Sequence, residues 1–216
     1  METIVQSLLT GAIDPHFTPE GDPSAIAKDP VGGPRTVHWL GIEDDEQGDL
    51  NVHGGRDKAI HHYPRDHYMR WRLELGANPL LDRAGAFGEN ISTLGWKEAD
   101  VCIGDRLRLG TALVEVAQGH QPCWKQGHHL GSPKVVAAMV STGRTGWYYR
   151  VIEEGSVAAG DPIKLISRVH PEWSVARVFG LLIGGGHKGE KAALRELAGL
   201  RELADGWRSR ARKLAG

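Results

Sequence analysis

Glycine is the residue type that most constrains this fold, because the chain contains 29 glycines and they divide it into short segments. Through the first 169 residues, apolar and β-branched runs alternate with turns that contain Gly, Pro or acidic residues. Runs of this length between such turns are typical of β-strands. The runs are residues 3–9, 36–42, 101–109, 112–117, 146–152 and 161–166. The pattern predicts a mainly β fold, as a barrel or a sandwich.

Two stretches within the same part predict helices, which makes the expected class α+β. Pro64 suits the first position of a helix, residues 65–75 contain no helix breaker, and Gly76 suits the position after the last turn. A second helix is predicted over residues 134–140. Residues 14–34 are rich in Pro, Gly and Asp and have no periodicity. A functional loop and a merely mobile loop are equally good interpretations of that stretch.

The character of the chain changes after residue 169. Residues 170–216 carry nine Lys and Arg against five Asp and Glu, and the rest of the chain carries 17 against 22. Three short helices are predicted over residues 173–183, 191–198 and 201–214. We therefore expect a β domain over residues 1–169 and a three-helix module over 170–216. A nucleic-acid-binding unit and a helical cap both fit the module, and the lack of a dense Lys or Arg stripe favours the cap.

Composition excludes several classes of protein. The longest apolar runs fall well short of the roughly 20 residues that cross a bilayer, and residues 1–10 lack the basic start of a signal peptide. A cytoplasmic protein is therefore predicted. The two cysteines are too few for a four-cysteine zinc or iron–sulfur site, and the 11 histidines form no His-Glu-x-x-His motif. A formal net charge of −1 argues against nucleic-acid binding by the chain as a whole.

Cys123 has the setting of a reactive residue. It follows the predicted strand 112–117 within a turn that includes Pro122, and Lys125 lies close by. A thiol beside a lysine can be held as the thiolate that ligates metals or attacks carbon, although a small buried hydrophobe is the alternative. Cys102 lies between branched apolar residues on an apparent strand. A buried, inert thiol is predicted there.

Two glycine-rich turns are candidates for ligand binding. The first places His53, Gly54 and Gly55 near Lys58, so that backbone N–H groups and a cation can approach an anion. The second, residues 85–93, presents Asn90, Ser92 and Thr93 to the polar edge of a ligand. Ordinary turns, the second closed by local side-chain caps, are the alternative for both.

Several motifs in order along the chain resemble one family. They are Gly41-Ile42, the turn at His53, Tyr63, Gly88-Glu89-Asn90, Ile103-Gly104-Asp105, Pro122-Cys123, Arg144-Thr145-Gly146-Trp147-Tyr148 and Arg150-Val151. The pattern resembles that of MOSC-domain proteins of the YiiM type, and the C-terminal helices resemble the 3-alpha module of those proteins. The resemblance covers nearly the whole chain.

The resemblance implies a MOSC-like β-barrel that binds the molybdenum cofactor (Mo-molybdopterin), with Cys123 as catalytic residue and metal ligand. His120 and Lys125 complete the predicted cofactor contacts. The implied activity is reduction of N-hydroxylated compounds, such as N-hydroxylated purines, with electrons from a separate flavoprotein or other reductase. A cofactor or sulfur carrier without catalysis is the alternative, and a homodimer is left open. His120 stands where the family often has Arg, and Gln126 where an apolar residue is usual, so a phosphate contact at His120 is expected to be weaker and pH-dependent.

Overall fold

The computed structural model describes residues 1–48 and 54–216, and its fold is α+β as predicted. The strands within these residues are β1 Glu2–Ile4, β2 Ser7–Thr10, β3 Asp29–Pro30, β4 Arg35–His38, β5 Gly41–Ile42, β6 Ile60–Pro64, β7 Ile91–Thr93, β8 Arg106–Leu109, β9 Ala112–Gly119, β10 Trp147–Glu153, β11 Gly155–Val157 and β12 Pro162–Ser167. Strands β6 and β9 are buried along their whole length. They form the centre from which the site is built.

Helices surround the strands. The α-helices are α1 Tyr68–Leu75, α2 Trp124–His129, α3 Val135–Thr142, α4 Val175–Leu182, α5 Lys191–Gly199 and α6 Asp205–Ala215, with 3₁₀ turns at Arg56–Lys58, Arg65–His67 and Pro79–Asp82. None of the helices in the described part of the chain is long and apolar enough to cross a membrane.

The strands pair mostly antiparallel. Within the described residues, nine strands form one sheet in the order β1-β12-β8-β9-β10-β6-β7-β2-β3, and β11, β4 and β5 form a second sheet. The pair β6 and β7 is parallel, with Tyr63 opposite Ser92. Tyr148 of β10 lies opposite His61 of β6 on one side and Gln118 of β9 on the other. This register places β6, β10 and β9, which carry polar side chains, side by side.

The large sheet curls on itself without closing into a ring of paired strands. Its order ends at β1 on one side and at β3 on the other among the strands described. Thr3 pairs with Ile163 of β12, whereas Leu8 pairs with Ile91 of β7. The predicted run 3–9 is thus two short strands, one at each side of the curled sheet. The twist of successive strands brings the two sides within reach of one short segment.

The interior is continuous from the sheet into the C-terminal helices. Val116 and Trp147 share one buried cluster with Phe179 of α4, Leu197 of α5 and Trp207 of α6. Burial of such side chains contributes about 25 cal/mol for each Å² removed from water, so these helices stabilise the sheet they cover. The division of the chain at residue 169 remains a prediction about its folding units.

A second, smaller cluster lies among α1, α2 and α3. It contains Tyr63, Trp71, Phe87, Leu130 and Met139. The rings of Tyr63 and Phe87 stack with their centroids 4.1 Å apart. Because Phe87 also reaches the cavity described below, this cluster supports one wall of the site.

The structure confirms the helix over residues 65–75, as a 3₁₀ turn followed by α1, and the three C-terminal helices. The backbone turns out of α1 at Gly76, where φ is 76°. Ser174 caps α4 by accepting a hydrogen bond from the N–H of Arg177. Helix α2 was not predicted, because glycine and histidine are weak helix formers. Tertiary packing selects it: a side chain at Gly127 would meet the carbonyl oxygen of Ser132 at 3.0 Å.

Candidate functional site

Cys123 lies where the chain leaves the central sheet. Strand β9 ends at Gly119, and a Cβ atom there would come within 3.0 Å of the Trp207 ring. Pro122 then precedes Cys123, and α2 begins at the next residue. Cys123 is half-buried and forms no disulfide. The end of a strand and the start of a helix thus present this thiol at the surface of a cavity.

The first cavity, here called the loop cavity, is open at its mouth and has a volume of about 100 Å³. The aperiodic stretch 14–34 supplies one wall through Pro23, Ser24, Ala25, Ile26 and Lys28. The other side chains and backbone groups come from Asp45, Glu46, Gln47, Gly48, Lys58, His61, Phe87, Gly88, Asn90, His120, Cys123, Lys125, Gln126 and Tyr148. Apolar and polar groups therefore line the same pocket, as is typical of small-molecule sites.

A second cavity, here called the helix groove, has a volume of about 840 Å³ and lies against α6. Its cationic side chains are Arg56, Lys58, Arg210 and Lys213. Asp57 and Asp205 also line it, but these carboxylates pair with Arg150 and Arg208. The groove therefore has an excess of positive charge.

The two cavities meet at three residues. Lys58, Cys123 and Tyr148 line both the loop cavity and the helix groove. Burial, followed by the charges of Cys123 and Asp45, raises the pKa of the Tyr148 hydroxyl well above its usual range. That hydroxyl keeps its proton at neutral pH and can donate a hydrogen bond beside the thiol.

A buried ion pair lies in the loop cavity. Lys28 pairs with Asp45, and the two side chains are 7% and 3% exposed. Asp45 also accepts a hydrogen bond of 2.9 Å from the N–H of Gly11. Burial lowers the pKa of Lys28, and the charge of Asp45 opposes that effect. A paired donor and acceptor of this kind can orient a polar ligand.

The histidines form an aromatic wall of the loop cavity. The ring centroids of His61 and His120 are 4.4 Å apart, and His61 lies 4.9 Å from Tyr148. Burial lowers the pKa of His61 to about 4, so this ring is neutral at physiological pH. His120 Nδ1 is 3.0 Å from the carbonyl oxygen of Thr145.

The first predicted binding turn divides between the two cavities. Gly54 and Gly55 line the helix groove, and Lys58 lines both cavities. His53 lies outside the described residues. The cation and the two glycines are therefore brought to one side of Cys123, in the arrangement that an anion would need.

The second predicted turn is less open to a ligand. Asn90 reaches the loop cavity, but its amide accepts from the N–H of His61 and donates to the carbonyl of Leu9. Ser92 and Thr93 are fully buried in β7. Thr93 Oγ1 lies 2.7 Å from Nε2 of His62, inside the sheet.

Lys125 reaches the loop cavity with its ammonium group engaged. Its Nζ donates to the carbonyl oxygen of Pro23 at 2.6 Å. His128 Nε2 is likewise 3.1 Å from the carbonyl oxygen of Phe17. These contacts tie α2 to the stretch 14–34, so this stretch is a structured wall of the site.

Sequence reasoning did not identify Lys28, Asp45, His61 or Phe87 as site residues. Lys28 belongs to the stretch without periodicity, and Asp45 to an acidic turn. Tyr148 was noted within a family motif and given no role. Only the arginine-to-tyrosine motif at residues 144–148 carried a signal that could have drawn Tyr148 into the site.

The described residues offer a metal at this site the thiol of Cys123. Within residues 1–48 and 54–216, no group of three His, Cys, Asp or Glu side chains converges where it could hold a metal ion. A protein zinc site needs three or four such ligands. Cys123 can supply one thiolate, which is a soft ligand.

Comparison with known proteins decides the family. Residues 49–164 match the family model described as the MOSC domain. This chain belongs to the MOSC-domain family. MOSC domains are associated with the molybdenum cofactor, so a role related to that cofactor follows for this protein.

This MOSC protein has relatives of similar length and one that is much longer. It is 46% identical over 160 residues to Protein YiiM of Escherichia coli (strain K12), a match that covers 74% of this chain and 70% of that protein. The crystal structure of YiiM from Geobacillus stearothermophilus matches with a TM-score of 0.83 and 32% identity, over 99% of this chain and 100% of that one. A protein of Gibberella moniliformis named Reductase is 39% identical over 156 residues, which are 72% of this chain and 28% of that protein.

Proposed function

We propose that this MOSC protein holds the molybdenum cofactor at Cys123 and reduces N-hydroxylated compounds to amines in the cytoplasm. The electrons come from a separate flavoprotein or similar reductase. The observation that carries the proposal is the position of Cys123, where a small cavity and a larger cationic groove meet. The relative named Reductase supports an oxidoreductase rather than a purely structural role.

The residues present fit the cofactor. Cys123 offers a partly exposed thiol with room on two sides. Arg56, Lys58 and Arg210 line the groove that would receive the anionic part of the cofactor. Charge-assisted hydrogen bonds to phosphate are among the strong ones in proteins, so a few such groups suffice for retention.

The loop cavity has the lining of a substrate site. Ile26 and Phe87 provide apolar surface for a flat ring, and Lys28 with Asp45 provides a donor and an acceptor for its polar edge. The stretch 14–34 supplies one wall of this cavity. A planar N-hydroxylated base therefore fits this site better than a long flexible substrate.

The reaction consumes protons as well as electrons. An N-hydroxylamine, two electrons and two protons give an amine and water. When bound, the molybdenum cofactor supplies the two-electron chemistry at the N–O bond. Tyr148 and His120 line the same cavity as Cys123 and are the groups that would hold or move protons there.

The proposal is tested on protein purified from a molybdenum-replete host. Metal and pterin content should approach one of each per chain, and reduced viologen should drive reduction of an N-hydroxylated purine. The same protein with NADH or NADPH alone should be inactive until a flavoprotein reductase is added. A protein with full metal content and no turnover with any donor is a carrier, and that result would overturn the proposal.

A further inference from the structure

Glu98 is a buried carboxylate that the proposed reaction leaves without a role. It is 4% exposed. One oxygen, Oε1, accepts hydrogen bonds from the backbone N–H groups of Thr145 and Gly146 at 2.9 and 2.7 Å. The other, Oε2, lies 2.8 Å from Nε2 of His67. Burial raises the pKa of Glu98, but its bond to His67 and the backbone donors outweigh burial and lower it overall.

The turn that Glu98 holds is the turn that holds His120. The N–H of His120 donates to the carbonyl oxygen of Gly146 at 3.0 Å. Nδ1 of the same residue is 3.0 Å from the carbonyl oxygen of Thr145. Gly146 thus holds the backbone of His120, and Thr145 holds its ring. The N–H groups of the same two residues donate to Glu98.

The backbone at this turn has little freedom. Gly146 has a φ of 73°, and a Cβ atom there would lie 2.2 Å from the carbonyl oxygen of His62. Only glycine fits at position 146, because a side chain would collide with β6 and would disfavour the positive φ. Glu98 accepts hydrogen bonds from both N–H groups, and the N–H of Thr145 is shared with the carbonyl oxygen of Gly143 at 3.0 Å.

These contacts determine the tautomer of His120. A carbonyl oxygen only accepts hydrogen bonds, so the proton of the neutral His120 ring is on Nδ1 and the lone pair is on Nε2. His61 approaches the same oxygen of Thr145 less closely, at 3.4 Å. The carbonyl oxygen of Thr145 therefore determines the tautomer of His120, and Glu98 determines the position of that oxygen.

We propose that Glu98 is the positioning residue of this site, which through Thr145 and Gly146 fixes His120 with its proton on Nδ1 so that Nε2 can exchange protons during reduction. This inference rests on the proposed function. The balance is that of the reaction above: two electrons arrive from the separate reductase, two protons are taken up, the N–O bond breaks, and an amine and water leave. Glu98 acts through His120 and does not touch the substrate.

The first test reads the tautomer and needs no cofactor. In ¹⁵N-histidine spectra of the full-length apoprotein, the signals of His120 are assigned by their loss in His120→Gln. The native protein should show one tautomer with the proton on Nδ1. Glu98→Gln keeps the shape but weakens the bonds to both N–H groups, and should give a mixture of tautomers. An unchanged His120 spectrum in folded Glu98→Gln would overturn the proposal, whether or not the protein proves to be a reductase.

A matched control acts on the same turn from another side. Glu74 pairs with the side chain of Arg144 at 2.6 Å, and its hydrogen bonds within the described residues go to the side chains of Arg70 and Arg144. Glu74→Gln should therefore leave the His120 tautomer and the turnover number unchanged. Equal effects of Glu74→Gln and Glu98→Gln would mean that the turn is only generally sensitive, which contradicts the proposal.

The second test reads turnover in the loaded protein. Glu98→Gln should lower kcat about tenfold with little change in KM, since a charged acceptor is replaced by a neutral one. In a His120→Ala background the same change should have no further effect, because the two residues act as one unit. Additive losses would show that Glu98 acts independently of His120. If Glu98→Gln does not fold, His67→Ala removes the partner of Oε2 and should shift the tautomer in the same direction by less; no shift overturns the proposal.

Discussion

The segments around Cys102 and Cys123 present the same reactive group in opposite surroundings. Cys102 is 2% exposed, and its thiol donates to the carbonyl oxygen of Pro171 at 3.6 Å. Burial, followed by the charge of Asp105, raises the pKa of this thiol. Cys123 is half-buried and lines both the loop cavity and the helix groove. The reactivity of a cysteine in this fold is therefore set by what the rest of the chain lays over it.

The C-terminal helices are responsible for much of this difference. The residue before α4, Ser174, forms a β-bridge with Cys102, and the N–H of Ile103 bonds the carbonyl of Trp173 at 2.9 Å. The same helices approach the segment of the other cysteine at Gly119, which faces Trp207, Phe179 and Val175, and along the wall of the helix groove. The C-terminal helices thus bury the thiol of Cys102 and leave a groove beside that of Cys123.

The largest effect should separate the two cysteines by activity. Cys123→Ala should lower the reduction of an N-hydroxylated purine by on the order of a thousandfold or more, since loss of an outer partner of a metal ligand already costs 10- to 100-fold. Cys102→Ala should keep most of the activity. The measurement is turnover with reduced viologen, on protein shown to be folded by circular dichroism. Equal loss in the two variants would remove the basis for the comparison.

The next effect concerns chemical access to the thiols. In native apoprotein, iodoacetamide should modify Cys123 on the order of a hundredfold faster than Cys102, because a buried thiol reacts only after local opening. Peptide mass spectrometry over a time course gives both rates in one sample. Protein unfolded in urea is the control, and there the two rates should converge. Similar rates in the native protein would show that Cys102 is not sealed.

The third prediction concerns stability at low pH. Strand β6 lies two strands away from β9 in the sheet and carries two buried histidines. Burial lowers the pKa of His61 to about 4 and that of His62 to about 3, against 6.5 for both in the unfolded chain. Below pH 6.5 the unfolded chain binds protons that the folded chain does not, so stability is lost as the pH falls. Each histidine should lower the free energy of unfolding by about 2 kcal/mol at pH 5 relative to pH 7.5.

Urea unfolding at the two pH values measures this effect, and His62→Gln provides the comparison. The variant should lose about 2 kcal/mol less between pH 7.5 and pH 5 than the native protein, whatever its stability at pH 7.5. Parallel stability curves for the variant and the native protein would contradict the assignment of a neutral, buried His62.

The smallest effect concerns the cation shared by the two cavities. Lys58→Ala should weaken cofactor retention about tenfold, the usual result of losing one charge-assisted contact to a phosphate. Lys134→Ala, which removes an exposed lysine beside α3, is the matched control. Molybdenum and pterin content after dialysis is the measurement. If both variants retain the same amount of cofactor, Lys58 is an ordinary surface charge.

The sequence was sufficient for the parts of the fold in which local pattern and burial agree. The hairpin of β8 and β9 follows from apolar runs on either side of Gly110-Thr111, and α1 from a breaker-free stretch between Pro64 and Gly76. Strand β6 was missed although it lies at the centre of the sheet. Its residues include His61 and His62, which look like surface residues until their partners in the neighbouring strands are known.

The site shows the same limit more sharply. The contrast between Cys102 and Cys123 could be predicted, because the residues beside each thiol differ in polarity and in turn-forming character. The loop cavity could not be predicted, since Lys28, which pairs with Asp45 there, lies in a segment without any periodic pattern. Asn90 was predicted as a ligand-binding side chain, and only the structure shows its amide bonded to His61 and Leu9.

By itself the sequence determined the class of the fold, the succession of short strands and helices, and the cysteine that stands at a turn. These depend on local properties: backbone freedom at glycine, the spacing of apolar residues, and the end of a strand at Pro122. The tertiary structure alone decided that residues 14–34 wall a cavity, that α6 borders a cationic groove, and that Glu98 reaches His120 through two peptide groups. Such contacts join residues far apart in the chain, and their energies appear only when water is excluded between them.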